Sequence, residues 1–104
     1  MLKKNLLLAA MLSSAFALQV AVAQDGAALY AGKACIACHG ADGNTPINDF
    51  TPKLAGQNKT YLVQQMKDIA SGARSNGQTA QMKGIASALS DDEIEAISAY
   101  LSGL

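Results

Sequence analysis

Residues 33–43, KACIACHGADG, hold both cysteines and the only histidine of this 104-residue chain. Cys35, Cys38 and His39 lie within five consecutive positions. Four chemistries use such a cluster: a disulfide, a thiol redox pair, part of a zinc site, and covalent attachment of a haem. A disulfide between residues three apart closes a very small loop and stabilises little through chain entropy. A structural zinc takes four Cys or His ligands, and residues 24–104 offer three, two of them adjacent. A redox pair needs its first cysteine where a helix begins. Here the pair reads as closing a helix, the wrong end of the dipole, and no surrounding βαβ pattern is present. The haem reading uses all three residues. Cys35 and Cys38 at i and i+3 share a helix face, so two sulfurs can meet the two vinyl groups of one porphyrin. His39 follows directly and can reach the iron. Cys-x-x-Cys-His is the attachment signature of c-type haem.

The start of the chain bears on this choice. Lys3 and Lys4 precede an uncharged run from Asn5 to Gln24, which contains Ala21-Val22-Ala23. A basic n-region, an apolar h-region and an A-x-A site read as a secretory signal peptide. The run approaches the length of a membrane anchor, but Ser13, Ser14 and Gln19 weaken a permanent span. We expect residues 1–23 to be cleaved and residues 24–104 to form one monohaem domain, exported to the periplasm. Loss of Lys3 and Lys4 takes the eight basic residues to six against eight acidic ones. No basic stripe is present, which argues against nucleic-acid binding.

So small a domain cannot be stabilised easily by a protein core alone. It has no tryptophan, and many of its apolar residues are alanine. A large apolar cofactor would supply the missing core.

The pattern along the chain is all-α, with three main helices and two long loops wrapped around one cofactor. Asp25 to about Cys38 reads as the first helix. Residues 39–58 form a loop rich in Gly, Pro, Asn and Asp. In residues 59–72, Leu62, Met66 and Ile69 share a helical face, and Gly72 is a stop. Residues 73–89 are irregular, with room for a short helical turn. Ser90 and Glu93 form a capping box for a last helix that carries Ile94, Ile97 and Leu101 and ends near Gly103.

A haem held by His39 calls for a sixth ligand. With Met1 and Met11 in the signal, Met66 and Met82 remain. Met66 sits at core spacing within a helix. Met82 lies in an irregular segment that can carry a sulfur to the far face of a ring, and it is the expected ligand. A ligating histidine normally donates its other N–H to a carbonyl or carboxylate. Pro46 and Pro52 are the rigid points of the following loop, and spacing leaves both open as the source of the accepting carbonyl.

The motifs CIACHGADGN, PKLAGQ followed by YLVQQM, and MKGIASALSDDEIEAISAYL stand in this order. On them the chain resembles the class I c-type cytochromes: bacterial soluble monohaem cytochromes, and one half of the dihaem c-four type. The resemblance covers nearly all of residues 24–104. It implies Cys35 and Cys38 as thioether anchors of one haem c, and His39 and Met82 as axial ligands. It favours Pro52 over Pro46 as partner of His39 and places Leu54 against the haem. It implies a crossing of the first and last helices through Gly26, Tyr30, Ile97 and Tyr100. It places Arg74 and Asn76 near the distal loop or a propionate, though a solvated Arg74 fits equally.

With both axial positions filled by protein, the expected function is one-electron transfer rather than catalysis. The expected partners are redox proteins: a membrane complex or dehydrogenase as donor, an oxidase or reductase as acceptor. They would dock on a rim near Cys35 and Lys83. We expect a monomer without stable membrane insertion. Two alternatives stay open: a haem-based ligand binder or peroxidase-like protein with a displaceable methionine, and a cytochrome subunit docked to a larger enzyme.

Overall fold

The computed structural model describes residues 24–104. The expected signal peptide lies outside the described residues. Among the described residues the structure is helical, without strands. Its α-helices are α1 (Gly26–Gly32), α2 (Cys35–His39), α3 (Lys59–Ser71), α4 (Lys83–Ser87) and α5 (Asp91–Ser102), with a 3₁₀ helix at Gly77–Met82 before α4. None of these helices is long and apolar enough to cross a membrane.

The expected first helix is two helices. Asp25 caps α1, its Oδ1 accepting from the N–H groups of Ala27 and Ala28 at 3.0 and 3.2 Å. The chain then turns at Ala34, whose φ of 68° is left-handed. A right-handed helix cannot pass through such a residue, so α2 starts afresh at Cys35. The break has a packing reason. At about 100° per residue, one straight helix would set Cys35 roughly 140° and His39 roughly 180° away from Tyr30. Yet Tyr30, Cys35 and His39 are all buried. The turn lets α1 bury Tyr30 while α2 faces Cys35 and His39 inward.

The later helices follow their local signals. Asn58 caps α3 through Oδ1, which accepts from the Thr60 N–H at 2.9 Å. Gly72 ends α3 at φ 86°. Leu62 and Ile69 are buried, and Met66 is half-buried on the same face. The Ser90–Glu93 capping box is complete: the Glu93 N–H donates to Ser90 Oγ at 3.1 Å, and the Ser90 N–H donates to Glu93 Oε1 at 3.0 Å. The helix α5 buries Ile94, Ile97, Ser98 and Leu101 and meets Gly103 at its end. The stretch read as irregular is more ordered than expected, since the 3₁₀ helix runs directly into α4.

The first and last helices pack where Gly26 lies against α5. A Cβ on Gly26 would overlap the Ala96 carbonyl oxygen and lie 2.8 Å from Tyr100 Cβ. One turn further on, the Tyr30 and Tyr100 ring centroids are 5.8 Å apart with the planes tilted at 51°, within the separation at which aromatic pairs interact. Tyr30, Cys35, Leu62, Leu89, Ile94, Ile97 and Leu101 form the core.

The long loop is folded by its polar residues. Asp42 Oδ1 accepts from the Asn44 N–H at 2.9 Å, and Asn48 Oδ1 accepts from the Phe50 and Thr51 N–H groups, both at 3.0 Å. The Gly43 carbonyl accepts from the Leu54 and Ala55 N–H groups at 2.7 and 3.0 Å. These bonds bring Pro52 and Leu54 back beneath α2.

Candidate functional site

Helices α2, α3 and α5, the Pro52 loop and the 3₁₀ helix surround a cavity of about 370 Å³. That is within the roughly 300–1,000 Å³ usual for cofactor sites. Cys35, Cys38, His39, Pro52, Leu54 and Met82 all line it. These are the six residues picked out from the sequence as cofactor-binding, drawn from three separate stretches between positions 35 and 82.

His39 is 3 % exposed, and its Nδ1 lies 2.9 Å from the Pro52 carbonyl oxygen. A carbonyl only accepts, so Nδ1 carries a proton, and in the neutral ring Nε2 then keeps its lone pair. That is the form of imidazole that binds a metal, held by the kind of outer contact that ligating histidines have. Pro46 makes no such contact. Its neighbour Ile47 instead donates its N–H to the Cys38 carbonyl at 3.0 Å, which fastens the loop to the end of α2.

Cys35 is buried, Cys38 is exposed, and no disulfide joins them. Here the dipole argument needs correcting: Cys35 opens α2 rather than closing a helix. Thiol redox chemistry is disfavoured for another reason. Burial pushes the Cys35 thiol above its ordinary value, whereas a redox nucleophile is a lowered, accessible thiol.

Met82 ends the 3₁₀ helix and is half-buried. Met66, read as a core residue, packs against the core and also lines the cavity. Arg74 is half-buried rather than solvated. It lines the cavity with Asn76, and its Nη1 donates to Gln65 Oε1 at 3.2 Å. Lys83 is exposed and outside the lining. Of the rim expected near Cys35 and Lys83, only Cys35 touches the cavity.

Many lining residues were not assigned to the site from sequence, Ser98 and Tyr30 among them. Ser98 is 1 % exposed on α5. It stands at i+4 from Ile94 and i−3 from Leu101, so helical period alone would have found it. Tyr30 was read as a helix-crossing residue, but it also lines the cavity and donates its phenol hydrogen to the Gly40 carbonyl at 2.6 Å.

The cytochrome c family profile matches residues 23–104. The chain belongs to the cytochrome c family. The cofactor of that family is a covalent haem c on a Cys-x-x-Cys motif, which is the spacing of Cys35 and Cys38. The donor set fits it: two thiols outside any disulfide and an imidazole held through Nδ1, all lining one cavity. Cytochrome c4 of Pseudomonas aeruginosa is 48% identical over 68 residues, 65% of this chain and 32% of that protein. Cytochrome c-553 of Nitratidesulfovibrio vulgaris is 37% identical over 90 residues, 86% of each chain. A thiosulfate dehydrogenase electron acceptor of Stutzerimonas stutzeri is 41% identical over 91 residues, 81% of this chain and 41% of that one. The crystal structure of reduced cytochrome c4 from Pseudomonas stutzeri superposes with a TM-score of 0.70 at 39% identity, covering 81% of this chain and 48% of that one. The chain thus spans about a third of the length of the cytochrome c4 relatives it matches.

Proposed function

We propose that this protein is a periplasmic one-electron carrier. Cys35 and Cys38 anchor one haem c by thioethers, and His39 and Met82 are its axial ligands. The haem supplies the one-electron Fe(III)/Fe(II) couple. The protein does the rest. The Pro52 carbonyl holds the His39 ring through Nδ1, and Leu54 and Met82, which line the same cavity, would pack against the haem and supply the second iron ligand, respectively. With two protein ligands no coordination site is left for a substrate, which suits transfer rather than catalysis. A thioether ligand and an apolar setting favour the reduced, less charged iron and raise the potential.

The observation that carries this reading is the His39–Pro52 contact at 2.9 Å, in a cavity that Cys35, Cys38 and Met82 also line. The partners follow from the same reading. A dehydrogenase or membrane complex donates, an oxidase or reductase accepts, and the relative named as a thiosulfate dehydrogenase electron acceptor supports the dehydrogenase side. Residues 1–23 act as the cleaved export signal, and the mature carrier is a monomer.

The test is an optical spectrum of protein produced with cytochrome c maturation machinery. The expected result is a low-spin reduced spectrum that survives acid-acetone extraction, with the far-red oxidised band of methionine–iron ligation. Met82→Ala is expected to abolish that band and lower the potential, and Met66→Ala to keep it. Loss of the band in the Met66 variant alone would overturn the ligand assignment.

A further inference from the structure

We infer that Tyr30 is a positioning residue for His39, acting through the backbone of Gly40. The inference rests on the reading above, in which His39 is an axial ligand. Gly40 follows His39 and has a φ of 85°, and a Cβ there would press on the Thr45 backbone, 3.0 Å from its carbonyl carbon. This glycine is therefore the pivot at which the chain leaves α2. Its carbonyl takes two hydrogen bonds, from the Tyr30 phenol at 2.6 Å and from the Gly43 N–H at 3.2 Å.

The imidazole is thus fixed from two sides. Pro52 holds the ring itself, and Tyr30 holds the Gly40 carbonyl, one peptide unit beyond the residue that carries it. These holds come from separate elements, the long loop and α1. Tyr30 is itself buried, 1 % exposed, and its ring packs tilted against Tyr100, which belongs to α5. Its phenol is pushed up to about 12, first by burial, so the hydroxyl remains a donor throughout the neutral range. The α1–α5 crossing thereby reaches the iron ligand through one hydrogen bond, and a small tilt of α1 would be felt as a tilt of the imidazole.

Tyr30→Phe removes the donor and keeps the ring packed against Tyr100. Tyr100→Phe is the control, for it leaves the Tyr30–Gly40 bond in place. Both are made in the mature holoprotein. Native-state readouts are the g-values of the ferric haem, the paramagnetically shifted proton resonances of His39, and the reduction potential. The expected result is a shift in all three for Y30F, with Y100F matching wild type in all three even where its melting temperature falls. Identical native spectra and potential in Y30F and wild type would overturn the inference, as would equal shifts in Y30F and Y100F. If Y30F does not mature with haem, fluorotyrosine is incorporated into a Tyr61→Phe, Tyr100→Phe background. The more acidic phenol of Tyr30 then strengthens the bond, and the His39 resonances should move; unmoved resonances overturn the inference. A wild-type protein lacking low-spin His/Met spectra would instead sink the ligand reading itself.

Discussion

At the scale of single residues, the site depends on backbone atoms as much as on side chains. The group that orients His39 is the carbonyl of Pro52, 2.9 Å from Nδ1, and a substitution at that position keeps the carbonyl. Pro52→Ala is accordingly expected to leave the optical spectrum unchanged. It should cost only about 0.4–1 kcal/mol, through the freer unfolded chain, as read from the urea midpoint. A variant that lost the far-red band would show that the proline ring, and not its carbonyl, holds the histidine. The cysteines were legible from spacing alone, because two thioethers to one porphyrin demand it. The unequal exposure of Cys35 and Cys38 was not, since it depends on the left-handed turn at Ala34, which no turn residue announces.

At the scale of elements, the helix starts and stops were legible because each is set by atoms within one turn. Asn58, Gly72, Ser90 and Glu93 act where their residue types call for. The split between α1 and α2 was hidden because it serves the burial of three side chains, a tertiary demand. Two predictions belong here. Gly26→Ala within a free helix would add up to about 1 kcal/mol of stability, but this glycine lies on the Ala96 carbonyl. The expected result is a loss of about 1–3 kcal/mol from overpacking, seen as a lower denaturation midpoint. A gain would show that α1 and α5 do not pack this closely. The second concerns Glu93, whose carboxyl is held below its ordinary value of 4.5, first by the Ser90 N–H and then by Lys33, whose Nζ lies 3.2 Å away. A carboxyl lowered in the folded state adds stability above its unfolded value and loses it as pH falls through the folded one. Glu93→Gln should therefore flatten the acid limb of the stability curve below pH 4.5, as followed by denaturant unfolding at stepped pH. An unchanged limb would mean that other carboxyls set it.

At the scale of the whole molecule, the cofactor is structural as well as functional. The cleft of about 370 Å³ is lined by Leu54, Leu62, Ile69, Ile97 and Leu101, apolar surface that water covers when no cofactor does, at a free-energy cost. The Cys35→Ala, Cys38→Ala double variant, made without haem, is expected to lose cooperative thermal unfolding and much of its far-UV helical signal. A sharp, cooperative transition in that protein would show that the helices hold their core unaided. The site lies where every helix of the described residues meets the Pro52 loop: α1 contributes Tyr30, α4 contributes Ile85, and α2, α3, α5 and the 3₁₀ helix contribute most of the rest of the lining.

The amino-acid sequence by itself determined the haem motif, the helical class, the caps and the order of the elements, because each is written in residues a few positions apart. It narrowed the partner of His39 to two prolines and the far ligand to two methionines. Only the tertiary structure decided the rest: the turn at Ala34, the contact of Pro52 with His39, the burial of Ser98 and the bond from Tyr30 to Gly40. Each of these joins or reorients elements around a shared cavity, and the geometry of that cavity comes into being only when the helices have packed.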